Sequence, residues 1–171
     1  NATVVAEPTD VLADPHLRAR EFWDAQSRPT RFVRVEGGTS TPRPSRAAQS
    51  SNRSGPLRGV RVLDFSWALV GSITTKVLGD LGCDVIKVES RGRPCLSRID
   101  VQVSASRAGN FDDKPWFAHL NSSKRSLALD MKHPASREVL DPLIDWADVV
   151  VENFSPGTMA KLGLDYASLA K

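Results

Sequence analysis

Seven side chains fall where strands should end or helices begin, and all of them are cations or amides: Arg91, Arg93, Lys124, Arg125, Lys132, Asn153 and Lys161. Guanidinium and ammonium groups beside helix N-termini, which carry partial positive charge, favour a phosphorylated ligand. Each one alone reads better as an ordinary solvated charge; only the group carries the ligand reading. Other chemistries fit less well. Glu89 sits where a dinucleotide site would grip a ribose. That site needs G-x-G-x-x-G, and the turn Ser66-Trp67-Ala68-Leu69-Val70-Gly71 holds a single glycine. Ser66 follows a strand but has no Gly-x-Ser-x-Gly elbow, so its simpler role is to help cap the next helix. Cys83 and Cys95 form no CxxC pair, and His16, His119 and His133 are as scattered, so no metal site is expected.

The elements that must position these groups follow from periodicity. Val60–Phe65 is rich in β-formers, and Gly71–Leu81 carries Ile73, Val77, Leu78 and Leu81 at helical spacing, with Gly82 to close it. Asp84–Glu89 is a second strand, so Val60–Glu89 has the length of a right-handed β-α-β crossover. Residues 90–115 are polar, with Gly and Pro, and read as a long functional loop. Ser126–Asp130 is a third strand and Pro134–Trp146 a helix with Val139, Leu140, Leu143 and Ile144 on one face. Ala147–Asn153 is a fourth strand, apolar enough to be buried on both faces, and Thr158–Leu162 a last helix. Alternating strands and helices predict an α/β fold with a partial Rossmann-like open parallel sheet, whose ligand lies beyond the strands' carboxyl ends.

Ahead of this sheet stands a short helix-strand piece. Its helix starts at Asp14 as N-cap with Pro15 in the first position, and its strand is Arg31–Glu36, stopped by Gly37-Gly38. Residues 39–55 are Ser, Thr, Pro, Arg and Gln with almost no large apolar side chain, a linker by composition. The expected layout is thus 1–38 as the tail of a preceding module or small domain, 39–55 as linker, and 56–171 as the N-terminal part of the sheet domain.

Charge narrows the partners. The 171 residues carry 23 Lys+Arg against 20 Asp+Glu, a net +3. No Lys/Arg run exceeds two residues, so there is no basic stripe for a phosphate backbone and no nucleic-acid partner is expected. No apolar stretch approaches the length of a bilayer span and no secretory signal opens the chain, which predicts no membrane association and a cytoplasmic, reducing environment.

Four motifs occur in order. Pro56-Leu57-Arg58-Gly59-Val60-Arg61-Val62-Leu63-Asp64-Phe65 is followed by Leu81-Gly82-Cys83-Asp84-Val85-Ile86-Lys87-Val88-Glu89. Then come Asn121-Ser122-Ser123-Lys124-Arg125-Ser126-Leu127-Ala128-Leu129-Asp130-Met131-Lys132 and Ala147-Asp148-Val149-Val150-Val151-Glu152-Asn153-Phe154-Ser155-Pro156-Gly157, with Leu162-Gly163-Leu164 after it. Together they resemble the opening of the class III CoA-transferases, a superfamily that includes formyl-CoA transferase, carnitine CoA-transferase and α-methylacyl-CoA racemase. The resemblance implies a transferase moving CoA between carboxylic acids, with acyl-CoA and a carboxylic acid as partners and no tightly bound cofactor. It also implies that CoA is held at Leu129, Asp130, Met131 and Lys132, at Asn153, Phe154 and Ser155, and at Lys161.

The departures are as informative. The family's first turn is Ala-Gly-Pro, often after a Gln; here the Gln falls on Leu69 and the Pro on Ser72. The family's basic residue after the strand-final Glu falls on Ser90. Its catalytic Asp, which forms an acyl anhydride and then a CoA thioester, matches no aspartate of this chain and is expected beyond Lys171. No residue in the segment is therefore assigned as catalytic, and the isolated segment is expected to be inactive. Family members form interlocked homodimers, so the chain is expected to pair with a copy of itself or with another module of a parent. Val11–Phe22 resembles a D-P-x-x-x-A-R stretch near the far end of the same family, which suggests the junction of a tandem two-module protein. A racemase or lyase on the same fold and a non-catalytic module are the alternatives.

Overall fold

The computed structural model describes residues 6–30, 53–99 and 114–169. The chain divides into two compact units, Asn1–Thr41 and Pro42–Lys171.

In the first unit two short helices, α1 (Pro8–Ala13) and α2 (Pro15–Ala19), meet at Asp14. The Asp14 carboxylate accepts from the His16 and Leu17 amides at 2.7 and 3.0 Å, the N-cap expected from the sequence. The helix ends at Ala19, and beyond it Trp23 bridges to Pro29 in antiparallel fashion and meets Phe22 edge to face. The strand expected at 31–36 and most of the expected linker, 39–52, lie outside the described residues.

The second unit is built on a four-stranded sheet of β1 (Arg61–Asp64), β2 (Asp84–Glu89), β3 (Arg125–Ala128) and β4 (Val149–Val151). Its order is β3-β2-β1-β4 and every pairing is parallel, with Leu63 opposite Ile86 on one side and Val150 on the other. Parallel strands need crossovers, and helices α3 (Val70–Asp80), between β1 and β2, and α5 (Ser136–Trp146), between β3 and β4, lie within two of them. Two more helices, α6 (Thr158–Lys161) and α7 (Tyr166–Leu169), follow β4.

Period-2 alternation sorts the strands' apolar side chains onto two faces. Leu63, Phe65 and Val88 pack with Leu140 of α5 and with Met159 and Leu164, while Val62, Cys83 and Val85 pack with Leu78 of α3. Leu140 is 1% exposed, and burial of a side chain this size stabilises by about 1.5–3 kcal/mol.

Two expectations are corrected. β4 is not buried on both faces: among the described residues it is an edge strand, and Val149 is exposed. The Asp148 carboxylate takes the Arg61 guanidinium at 2.6 Å and the Arg61 amide at 3.0 Å, locking β4 beside β1. The polar stretch after β2 is not all loop, since Leu96–Arg98 is a single 3₁₀ turn. A further helix, α4 (Pro115–Asn121), opens on Pro115 just past that stretch.

Candidate functional site

The strand order puts a reversal at β1: the chain steps outward to β2 and β3, then returns to β4 on the other side of β1. Ligands of open parallel sheets bind outside the carboxyl ends of strands at such a point. A cavity of about 470 Å³ opens there. Phe65, Ser66 and Trp67 line it from beyond β1, Ser90 and Arg93 from beyond β2, Leu129 to Lys132 from beyond β3, and Phe154, Thr158 and Lys161 from beyond β4.

Two of the lining segments are turned by a local hydrogen bond. The Asp130 carboxylate accepts from the Lys132 amide at 3.0 Å, which turns the chain sharply after β3 and presents Lys132. Glu152 accepts from the Phe154 amide at 2.7 Å. Gly157 then adopts φ +80°, a left-handed conformation that glycine takes without strain, and starts the helix that carries Lys161.

Trp67 is gripped from two sides. Its amide donates to Asn153 Oδ1 at 2.7 Å, and Asn153 Nδ2 donates to the Trp67 carbonyl at 2.9 Å. The Trp67 indole N–H donates to the Pro94 carbonyl at 3.0 Å. These bonds join the end of β1 to the ends of β4 and β2, and Ala68, next in the turn, sits at φ +61°. A non-glycine residue in that region is strained and stays there only when its surroundings fix it.

Beneath the turn lies a buried polar network. Asp64, fully buried, accepts from the Ser66 amide at 2.8 Å, the Thr75 hydroxyl at 2.7 Å and the Lys124 ammonium at 3.0 Å. Lys124 also donates to the Ser72 carbonyl at 2.9 Å and Asn121 Oδ1 at 2.8 Å. Burial pushes its ammonium below the ordinary lysine value, with Asp64 pulling the other way. Lys87, 1% exposed, donates to the Ser66 carbonyl at 2.7 Å and so holds the turn from below.

The sequence-derived residues separate accordingly. Leu129, Asp130, Met131, Lys132, Phe154 and Lys161 come together around the cavity. Asn153 and Ser155 are outside its lining; Asn153 acts on the site through Trp67. Of the other cations first singled out, Arg93 faces the cavity and Arg91 is exposed outside it. Two do not face a ligand. Lys124 is committed to Asp64, and Arg125 pairs with Asp84 at the amino end of the strands, away from the cavity. Glu89 holds the Arg98 guanidinium at 2.8 and 3.1 Å and is not free for a ribose. Ser66 does not cap α3, whose N-cap is Leu69 with no side-chain bond; the Ser66 hydroxyl is buried without a partner among the described residues. The sequence reading passed over Trp67 and the Asp64–Lys124 pair. A carboxylate inside the apolar run Val60–Phe65 was the available signal, because a buried charge requires a partner.

Known proteins resemble the chain over this same region. Residues 57–171 match the family model described as CoA-transferase family III. A protein of Fusarium pseudograminearum named acyl-CoA transferase is 36% identical, over 75% of this chain and 32% of its own length. A formyl-CoA:oxalate CoA-transferase of Afipia carboxidovorans is 40% identical, over 67% of this chain and 26% of its own. Among solved structures, a hypothetical protein of Mycobacterium tuberculosis superposes with a TM-score of 0.57 at 37% identity, over 69% of this chain and 31% of that one. A CaiB/BaiF family protein of Brucella suis gives 0.54 at 39% identity, over 67% and 30%. The chain thus spans about a third or less of the length of these relatives.

Proposed function

The chain belongs to CoA-transferase family III, and from that premise we propose that it is part of an enzyme moving CoA between carboxylic acids. Its own contribution is the pocket for the phosphorylated end of a CoA thioester. The observation that carries this reading is the convergence of Lys132 and Lys161 with Phe154, Leu129 and Met131 on one cavity at the sheet's reversal point. Two ammonium groups supply charge for phosphates, and the apolar side chains a surface for an adenine.

In this proposal an aspartate beyond the segment attacks the acyl carbonyl carbon. The carbon–sulfur bond breaks and CoA leaves as thiolate. It then attacks the aspartyl carbonyl of the resulting anhydride, whose C–O bond breaks to release the first acid as carboxylate. The second acid runs the same steps in reverse to leave as its CoA thioester. The pocket's part is to hold CoA through both steps, so that the thiolate stays close to the anhydride. The carboxylates of Asp64, Asp130 and Asp148 are already engaged: Asp64 on Lys124, Asp130 on its own turn, Asp148 on Arg61. An interlocked homodimer and a cytoplasmic setting belong to the same proposal; no described helix is long and apolar enough to cross a membrane.

Calorimetric titration of the full chain with CoA and with NAD, side by side, tests the reading. Heat from CoA alone is expected. Binding of NAD in preference to CoA would return the cavity to the dinucleotide class.

A further inference from the structure

Arg93 lines the cavity three residues after Ser90, and the loop that carries it is closed by its own amide, which donates to the Ser90 carbonyl and hydroxyl, both at 3.2 Å. Its guanidinium carbon lies 5.0 Å from the centroid of the Trp67 ring and 5.7 Å from that of Phe154. These are cation–π distances. Arg61, Arg98 and Arg125 each hold a carboxylate, whereas Arg93 holds none among the described residues. Trp67 is itself fixed by Asn153 and by the Pro94 carbonyl, so the aromatic support does not drift.

We infer that Arg93 is the residue by which this cavity selects a phosphomonoester. A guanidinium held by ring faces instead of a carboxylate keeps its N–H donors for a ligand. Its planar fork takes two oxygens of one phosphate in parallel, which an ammonium does not. Lys132 and Lys161 attract phosphate charge without that geometry. Arg93 is also exposed, so the dianionic end of a long ligand held there would remain near solvent. The inference rests on the proposed CoA reading and deepens it. CoA carries one phosphomonoester, on its ribose, and dephospho-CoA lacks it.

The test is calorimetric titration of the full chain with CoA and with dephospho-CoA, on the parent protein and on Arg93→Met, Arg93→Lys and Arg91→Met. The parent should prefer CoA. Arg93→Met should lose roughly tenfold or more in CoA affinity, the size of a lost charge-assisted hydrogen bond, and little toward dephospho-CoA. Arg93→Lys should recover only part of the loss, and Arg91→Met, the same charge removed from outside the cavity, none of it should appear in. The inference fails if Arg93→Met weakens both ligands alike, if Arg91→Met reproduces the loss, or if Arg93→Lys restores full affinity. A parent protein that binds both ligands equally also overturns Arg93's role, while one that binds neither overturns the CoA reading itself.

Discussion

The Lys124 ammonium stands 3.0 Å from the Asp64 carboxylate with both side chains sealed from water, 1% and 0% exposed. Every proton of the ammonium has an acceptor, and the carboxylate receives two further donors from Ser66 and Thr75. Because Ser66 begins the turn that carries Trp67, this pair is the foundation of one wall of the cavity.

Removing one partner of a buried pair strands the other charge. Lys124→Met is expected to cost about 3–5 kcal/mol in urea unfolding. The double variant Asp64→Leu/Lys124→Met should regain a large part of that loss, because neither charge is then left alone. A double variant less stable than the two single losses combined would show that the pair is not the source of the cost.

The same lysine sets a pH dependence. Burial, the largest cause, depresses its folded value below the ordinary 10.5; Asp64 opposes this and Lys87 adds to it. Between that lowered value and 10.5 the unfolded chain binds the extra proton, so this group's contribution to stability rises with pH across the window and is level above it. The unfolding free energy of the parent minus that of Lys124→Met should therefore grow as pH approaches 10.5. Paired denaturation curves across alkaline pH check this, and a shrinking difference would reverse the sign.

Gly71 lies where α3 meets the end of β1. A Cβ there would fall 2.3 Å from Ser66 Cβ, closer than atoms can pack, and 3.1 Å from Asn153 Cγ, a tight contact. Gly71→Ala should destabilise by about 1–3 kcal/mol and weaken CoA binding together, by displacing the turn. Melting and calorimetry on one preparation would reveal the coupling. Normal stability with normal affinity would mean that α3 has room to shift.

Asn153 acts on the site by gripping Trp67. Asn153→Ala removes both hydrogen bonds to the Trp67 backbone and should lower stability by roughly 1–3 kcal/mol. Asn153→Asp keeps the acceptor for the Trp67 amide but sets a carboxylate oxygen against the Trp67 carbonyl, so it should recover only part of that stability. Indole fluorescence would report whether Trp67 has moved.

Much of the sheet was legible from patterning, because strands such as Asp84–Glu89 and the amphipathic α5 bury apolar residues at regular spacing. α4 was not, since Pro115 and Trp116 follow a polar stretch and its buried residues, Leu120 and Asn121, give no periodic signal. Lys132 and Lys161 could be placed near a ligand because they follow strand ends. Lys124 precedes β3 instead, and it faces inward because its place depends on a carboxylate distant in sequence. Arg93 was legible as a charge, but its aromatic support comes from Trp67 and Phe154, which only the sheet order brings together.

The pairing of β1 with β4 joins Val62 to Val149, so one of the sheet's inner contacts spans most of the second unit. Contacts of such separation form slowly, because a long loop must close before they reward the chain. Phe154 and Lys161 come later still in the chain, and the cavity has no far wall until β4 has docked. CoA should then find nothing to bind on a chain that is still collapsing. In stopped-flow mixing it should leave the refolding rate nearly unchanged and slow the unfolding arm, which makes the ligand a brake on opening and no guide to folding.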